Sequence, residues 1–292
     1  MGTAARLGGF VVALALVFGA AWWAGTGAPG ALVPPAPASD EHAGDLPAGP
    51  TLELASAGLV SASAGYTLVP RGETTFKPGV PGELAFVVTG PNGLPVTAFD
   101  TKDEQQLDLV VVGRDGAAFQ HLHPAMDPDG VWRVTLTLPA AGVYRAYADF
   151  VATGGPALVL GIDLFVPGRF APAEFPSSRT AHVAGYDVRL DADLVAGGTS
   201  PVFVTIDRDR VPVTDIEPYL GALGHLVVLR QSDLAYLRTA PMAPEAMPAH
   251  LTGPGLAFAV EVPAGGHRLF LEFKHRGVVH MAEFTVRTGS NQ

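Results

Sequence analysis

Cysteine is absent from the 292 residues of this chain. Disulfide bonds, thiolate metal sites, thiol nucleophiles and a lipoprotein anchor are therefore excluded. Lysine is scarce, since only Lys77, Lys102 and Lys274 occur, and 28 acidic against 18 basic residues give a formal net charge of -10. Nucleic acid is not an expected partner because phosphate binding needs a basic surface. Any bound metal must be held by His, Met, Asp or Glu.

Two common catalytic signatures are missing as well. The sequence has no Gly-x-Ser-x-Gly elbow, and no Gly-rich phosphate loop precedes a helical pattern. We therefore predict that the protein is not an enzyme.

The first fifty residues divide into an apolar run and a tether. Residues 8–25 carry no charge, which is typical of a signal peptide or a membrane anchor over residues 1–25. Trp22 and Trp23 at the exit of the run favour an uncleaved anchor. Residues 26–50 are rich in Pro, Ala and Gly and predict an extended tether. The bulk of the chain is expected outside the cytoplasmic membrane, held by one N-terminal span or secreted if the segment is cleaved.

The rest of the chain contains an internal repeat. PVT at 95–97 recurs at 212–214, and LVV at 109–111 recurs at 226–228, both 117 residues later. Further on the spacing becomes 123, as Phe150 returns at Phe273. A register that changes only across loops indicates a duplicated domain. The predicted domains are residues 51–168 and 179–292, joined by a Pro-rich linker at 169–178.

Both copies show the pattern of β-strands. Apolar residues alternate or run in short blocks between turn signals, as in LDLVVVGRDG and VWRVTLTLPAAG, and long helical periodicity is missing. We predict an all-β protein of two tandem immunoglobulin-like β-sandwiches. A double jelly roll or a pair of small barrels is the alternative that the strand count leaves open.

One constellation in the first domain points to a metal. A hairpin folded about the turn signal Arg114–Gly116 places Asp108 opposite His121, and His123 shares the same strand face. Two imidazoles and a carboxylate suit Zn(II) or Cu(II), with Met126 in the next loop as a candidate axial ligand. The alternative is that both histidines only satisfy backbone groups at a strand end.

The second copy differs at this face. His225 stands in place of the carboxylate, and Arg238 and Ala240 stand in place of the two histidines. A hairpin about residues 231–233 places His225 opposite Arg238, whose permanent positive charge repels a metal ion. We expect the equivalent site in the second domain to be weakened or lost.

A loop without counterpart in the first copy follows. It contains Met242, Met247 and His250, which are similar to a soft Cu(I) ligand set. A proline-stiffened linker is the alternative interpretation of the same loop.

The last strands carry further histidines. His280 and Met281 begin the final strand, which in a sandwich can lie beside the strand that begins at His225, so the three form another candidate metal cluster. His275, next to Arg276–Gly277, is predicted to be a solvated turn residue.

Three motifs carry a resemblance to a known family: FQHLHP at 119–124, EPYLGALGHLV at 217–227 and DLAYL at 233–237. They resemble a bacterial, mainly actinobacterial, family of secreted or membrane-anchored proteins that are often labelled heavy-metal-binding. The resemblance covers nearly all of the chain after the tether. It implies tandem immunoglobulin-like domains and metal-binding histidines at His121, His123, His225 and His280.

This sequence departs from the family pattern at two places. A His-x-His-Pro is usual in the second domain, where this chain has Arg238–Pro241, and a His is frequent at the position of Asp108. Both departures weaken the expectation of metal binding by the second domain.

These features together predict a non-catalytic, membrane-tethered protein that captures or buffers copper or zinc outside the cytoplasmic membrane. Its expected partners are the metal ion, the membrane through the N-terminal segment, and an envelope protein. The alternative is a metal-independent interaction module that binds a protein or an envelope polysaccharide. The candidate metal ligands are Asp108, His121, His123, His225, His280, Met242, Met247 and His250.

Overall fold

The computed structural model describes residues 57–242 and 255–289, and these residues form strands, turns and loops. The predicted anchor and tether lie outside these ranges. Within them, no helix has the length and apolar character needed to span a membrane.

The first sandwich has two antiparallel sheets, ordered β1-β2-β3-β7-β6 and β5-β4-β8-β9. Its strands are β1 (Ala62–Ser63), β2 (Tyr66–Pro70), β3 (Pro81–Thr89), β4 (Leu107–Gly113), β5 (Gln120–Leu122), β6 (Ala125–Met126), β7 (Val131–Thr137), β8 (Gly142–Val151) and β9 (Ala157–Val166).

The second sandwich repeats this arrangement. Its sheets are ordered β10-β11-β12-β17-β16, with β13 paired to β12, and β15-β14-β18-β19. Its strands are β10 (Thr180–Val183), β11 (Tyr186–Ala192), β12 (Thr199–Arg208), β13 (Val211–Pro212), β14 (Gly224–Arg230), β15 (Tyr236–Leu237), β16 (Thr239–Pro241), β17 (Leu256–Glu261), β18 (Gly266–His275) and β19 (Val278–Arg287).

Each sandwich encloses its own apolar core between its two sheets. Phe86, Trp132 and Leu160 lie in the first core, and Val204 and Phe284 lie in the second. The cores are made by strands whose apolar residues alternate, as the period of a half-buried strand requires. The predicted fold class, two tandem immunoglobulin-like β-sandwiches, is confirmed.

A third apolar cluster lies between the two sandwiches. The sheet that contains β4 and β8 packs face to face on the sheet that contains β14 and β18, which is why these strands have nearly continuous apolar sequences. The cluster consists of Val110, Val112, Phe119 and Tyr147 from the first domain, and Val227, Leu229, Leu234 and Phe270 from the second.

The contact across this interface is reciprocal. The Phe119 ring stacks on the Phe270 ring with centroids 4.1 Å apart. The repeat makes Tyr236 the counterpart of Phe119 and Tyr147 the counterpart of Phe270, and these two rings lie 5.5 Å apart. The same pair of positions therefore meets twice, as at an interface between two symmetry-related copies.

The two hairpins that lead to the site have a register different from the predicted one. Val110, and not Asp108, pairs with His121 in the first hairpin. Val228 pairs with Leu237 in the second, so His225 does not lie opposite Arg238. The predicted turn was too short, because the first loop continues past Gly116 to the left-handed Ala118. A shift of two residues keeps each side chain on its predicted face.

Candidate metal site at the domain interface

Three of the predicted ligands come together in the structure. Asp108 is on β4, His121 is on β5, and His123 follows β5 on the same face. One ligand atom from each residue lies within 4.8 Å of the others. The group sits at the end of the apolar interface, where the two facing sheets begin to separate around a cavity.

The inner atoms of this group converge on one carboxylate oxygen. Asp108 Oδ1 lies 3.5 Å from His121 Nε2 and 3.6 Å from His123 Nδ1. Asp108 Oδ1 and His123 Nδ1 are buried and have no hydrogen-bond partner among the described residues. Ligands about 2.0–2.2 Å from a tetrahedral ion lie about 3.3–3.6 Å from one another. Both distances to Asp108 Oδ1 fit a zinc- or copper-sized ion, and the two ring nitrogens lie within 4.8 Å of each other.

The outer ring nitrogens are held by the second domain. His121 Nδ1 is hydrogen-bonded to Glu272 Oε2 at 2.7 Å, and His123 Nε2 to the Tyr219 hydroxyl at 3.0 Å. Metal-binding histidines characteristically use their second nitrogen in this way, because the bond fixes the ring's orientation and tautomer. Both imidazoles are thus oriented toward Asp108 by residues of the other sandwich.

Burial disfavours the charged forms of Asp108 and His121, but neighbouring groups of opposite charge favour those forms more strongly. The close polar contacts and the charge of the two histidines hold the pKa of Asp108 far below its usual range despite burial. Asp108 and Glu272 likewise overcome burial at His121 and raise its pKa to about 9. The His121 imidazole is therefore doubly protonated and positively charged at neutral pH.

A cavity of about 510 Å³ opens beside these ligands, between the two domains. Asp108 and His121 line one part of it. Its other polar and apolar walls include Lys102, Asp103, Asp149, Val151, Val159, His225, Leu226, Arg238 and Phe258.

His225 lies next to the three-residue group without belonging to it. Its ring centroid is 6.3 Å from that of His121, and its Nε2 donates to the Tyr219 carbonyl oxygen at 2.7 Å. Tyr219 thus contacts His123 through its side chain and His225 through its backbone.

The predicted cluster of His225, His280 and Met281 does not form. Strand β18 lies between β14 and β19, so the final strand is not a neighbour of the strand that begins at His225. Met281 pairs with Glu272, whereas His280 pairs with Phe273 and points to the opposite face. The His280 ring packs 4.7 Å from the Tyr186 ring, centroid to centroid.

Two further expectations are corrected by the structure. Met126 belongs to β6 in the other sheet and packs on the core of the first sandwich, so it is not an axial ligand of the site. His275 is only 3% exposed and is not a solvated turn residue, because its ring is hydrogen-bonded to Tyr186 and Asp215.

The Met-rich loop is only partly described. The Met242 backbone nitrogen donates to the Ala257 carbonyl at 2.8 Å beside the edge of β17. Met247 and His250 lie outside the described residues.

The sequence analysis missed Glu272 and Tyr219. Glu272 interrupts the apolar block RLFLEF, and Asp149 interrupts the equivalent block YRAYADF at the same position. A charged residue inside an otherwise buried strand is a signal for an internal polar partner, and it was available in the sequence.

A family model described as "Domain of unknown function (DUF8832)" matches residues 61–160 and 181–290, which correspond to the two sandwiches. No curated protein matches the chain.

Several solved structures are distantly similar. A mutant of Salmonella alpha-2-macroglobulin is 15% identical over 79% of this chain with a TM-score of 0.29, and the chain spans 15% of its length. The N-terminal Ig1-2 module of Drosophila receptor protein tyrosine phosphatase DLAR is 9% identical, covering 77% of this chain and 98% of that module, with a TM-score of 0.21. Invasin, a bacterial integrin-binding protein, is 12% identical over 77% of this chain and 39% of its own, with a TM-score of 0.23.

Proposed function

The chain belongs to the DUF8832 family, and we propose that it binds one divalent transition-metal ion, copper or zinc, between its two immunoglobulin-like domains. Its role is then capture or buffering of that ion without catalysis. The apolar N-terminal run supports a location of the two domains outside the cytoplasmic membrane, tethered or secreted.

The observation that carries the proposal is the convergence of three ligand atoms with their outer partners in place. Asp108 Oδ1, His121 Nε2 and His123 Nδ1 lie within 4.8 Å of one another, and both nitrogens lie about as far from Asp108 Oδ1 as two ligands of one ion. Two nitrogens and one carboxylate oxygen suit Zn(II) and Cu(II) better than Ca²⁺ or Mg²⁺, which prefer oxygen ligands only. The ion replaces the proton of His121, while Glu272 continues to accept the hydrogen bond from Nδ1.

One observation favours the metal-independent alternative. His121 lies between Asp108 and Glu272, so a protonated imidazole by itself links the two domains ionically. On this interpretation the histidines are structural, and the chain is a rigid pair of sandwiches that presents its loops to a protein or a polysaccharide.

Calorimetric titration of the purified full chain with Cu(II), Zn(II) and, without oxygen, Cu(I) separates the two proposals. We expect one ion per chain with micromolar or tighter affinity, and no binding to the double variant Asp108→Asn, His121→Ala. His182→Ala is the matched control, since this exposed histidine is paired with Asp187 on the second domain.

Each other result has a definite meaning. Unchanged binding by the double variant moves the site to another set of ligands, such as Met242, Met247 and His250. Absence of binding by the unmodified chain contradicts the metal proposal and leaves the interaction module.

A further inference from the structure

The cavity between the domains borders the proposed metal site on one side. Asp108 and His121 belong to its lining, whereas His123 does not. A site with three protein ligands keeps at least one coordination position for water or another ligand. Because two of the three ligands line the cavity, an ion held by them would present its open position to the cavity.

The cavity is large enough for a small molecule. Its volume of about 510 Å³ lies inside the range of about 300–1,000 Å³ typical of ligand sites. Val151, Val159 and Leu226 supply apolar wall, so an occupant with a short carbon chain is well accommodated.

Cationic side chains stand on another part of the wall. Arg238 is solvent-exposed and lines the cavity, and Lys102 lines it with its ammonium 3.7 Å from Asp149. The planar guanidinium of arginine binds carboxylates with two parallel hydrogen bonds. In the repeat, Arg238 occupies the position of His121, so one domain offers metal ligands and the other a carboxylate-binding group.

We propose that the interdomain cavity binds a small carboxylate-bearing molecule that coordinates the ion at one end and contacts Arg238 at the other. This inference rests on the proposed function. The chain then holds a metal complex, and the natural occupant is a short dicarboxylate or an amino-acid-like chelator.

Electron paramagnetic resonance of the full chain loaded with one Cu(II) tests the inference with three probes. Azide, which needs only an open position, is expected to change the copper spectrum. Succinate is expected to change it at concentrations at least about tenfold lower than acetate does, since it has a second carboxylate for Arg238. Arg238→Gln should abolish the advantage of succinate and leave the azide effect unchanged, while Arg189→Gln, on the outer sheet, is the matched control.

The outcomes distinguish this inference from the proposed function. Failure of both copper and zinc to bind in the calorimetric titration overturns both. Copper binding with no response to azide or succinate overturns only the cavity ligand, because the open position is then closed to solutes. A preference for succinate that survives Arg238→Gln also overturns it, because the second carboxylate is then not held by that arginine.

Discussion

The two halves of the domain interface occupy equivalent positions of the repeat and differ in chemistry. In the first half, the first domain contributes a carboxylate and two imidazoles, and the second domain contributes a carboxylate and a hydroxyl. In the other half these positions hold a histidine, an arginine, an alanine, a carboxylate and a lysine. The counterparts are Asp108 and His225, His121 and Arg238, His123 and Ala240, Glu272 and Asp149, and Tyr219 and Lys102.

Two equivalent turns of the halves share one backbone conformation. Lys102 and Tyr219 begin these turns, each closed by a bridge three residues later. Each turn contains two consecutive residues in the left-handed region, Asp103–Glu104 and Leu220–Gly221. At these turns the halves therefore differ in their side chains and not in their backbone.

The comparison shows why apolar and polar positions of a duplicated interface diverge differently. The aromatic centre must fill the same volume on both sides, so Phe119 and Tyr236 are both large rings. A polar position needs only a partner of opposite charge. Glu272 is such a partner for His121, and at the equivalent place the charge of Arg238 acts on the buried Asp149.

The largest effect is expected when residues of the first-domain site are replaced by their counterparts from the second domain. His121→Arg with His123→Ala removes two ligands, and we expect metal affinity to fall by about 1000-fold or more. The guanidinium at position 121 can still pair with Glu272, so the free energy of unfolding should change by no more than about 1 kcal/mol. Calorimetric titration and urea unfolding measure the two effects. Metal affinity within tenfold of the original would contradict the assignment.

The aromatic centre should behave alike in both halves. Phe270→Ala and Tyr147→Ala each remove a side chain that is 0% exposed, and each should cost about 3–5 kcal/mol of unfolding free energy. Tyr147→Ala should cost more, since it also loses the hydrogen bond from its hydroxyl to the Leu234 carbonyl at 2.6 Å. Urea unfolding gives both values, with the 44% exposed Phe165 changed to Ala as control. A cost below 1 kcal/mol for both would mean that the domains are not held together by this contact.

The outer carboxylates should differ between the halves. Glu272→Gln weakens the hold on His121, and metal affinity should fall by about 10–100-fold. Asp149→Asn, at the equivalent position, should change it by less than about threefold, because Lys102 and not a ligand is its close partner. Zinc titration of the two variants makes the comparison, and equal losses would remove the distinction between the halves.

A smaller difference concerns two buried residues that occupy equivalent positions of the repeat outside the site. Tyr144 donates its hydroxyl to the Ala140 carbonyl, whereas its counterpart His267 is 0% exposed with neither ring nitrogen hydrogen-bonded among the described residues. Burial, with the nearby charge of Arg230, lowers the pKa of His267 to about 4.

The lowered pKa of His267 in the folded chain determines how stability changes with pH. The unfolded chain takes up the proton near pH 6.5 and the folded chain only near 4, so stability should fall as pH drops through that window, by about 2–3 kcal/mol. His267→Phe should remove this part of the loss. Urea unfolding at pH 7 and 4.5 measures it, and an identical pH dependence in the variant would show that His267 does not titrate in this way.

Much of the first-domain site could be predicted from local sequence. The two-residue period of a strand places His121 and His123 on one face, and the hairpin brings Asp108 to that face. The register was wrong by two residues because turn length depends on backbone conformation at Ala117 and Ala118, which residue type did not reveal. The predicted face was still correct, because a shift of two residues leaves every side chain on the same side of the sheet.

The cluster of His225, His280 and Met281 failed for a different reason. Each residue was placed correctly in a strand, but their grouping required the order of strands in the sheet. That order depends on which edges pair across long sequence separations, and β18 separates the two strands. The strand period also sends His280 and Met281 to opposite faces, which the sequence alone could have shown.

The sequence by itself determined the class of fold, the duplication and the strand face shared by Asp108, His121 and His123, because alternation, turn residues and repeats are properties of neighbouring positions. Only the tertiary structure decided that the two domains pack through their equivalent sheets, that Glu272 and Tyr219 orient the histidines, and that a cavity opens beside them. These features depend on contacts between residues about 100 to 150 positions apart, and no local pattern encodes which distant side chain will be buried against which.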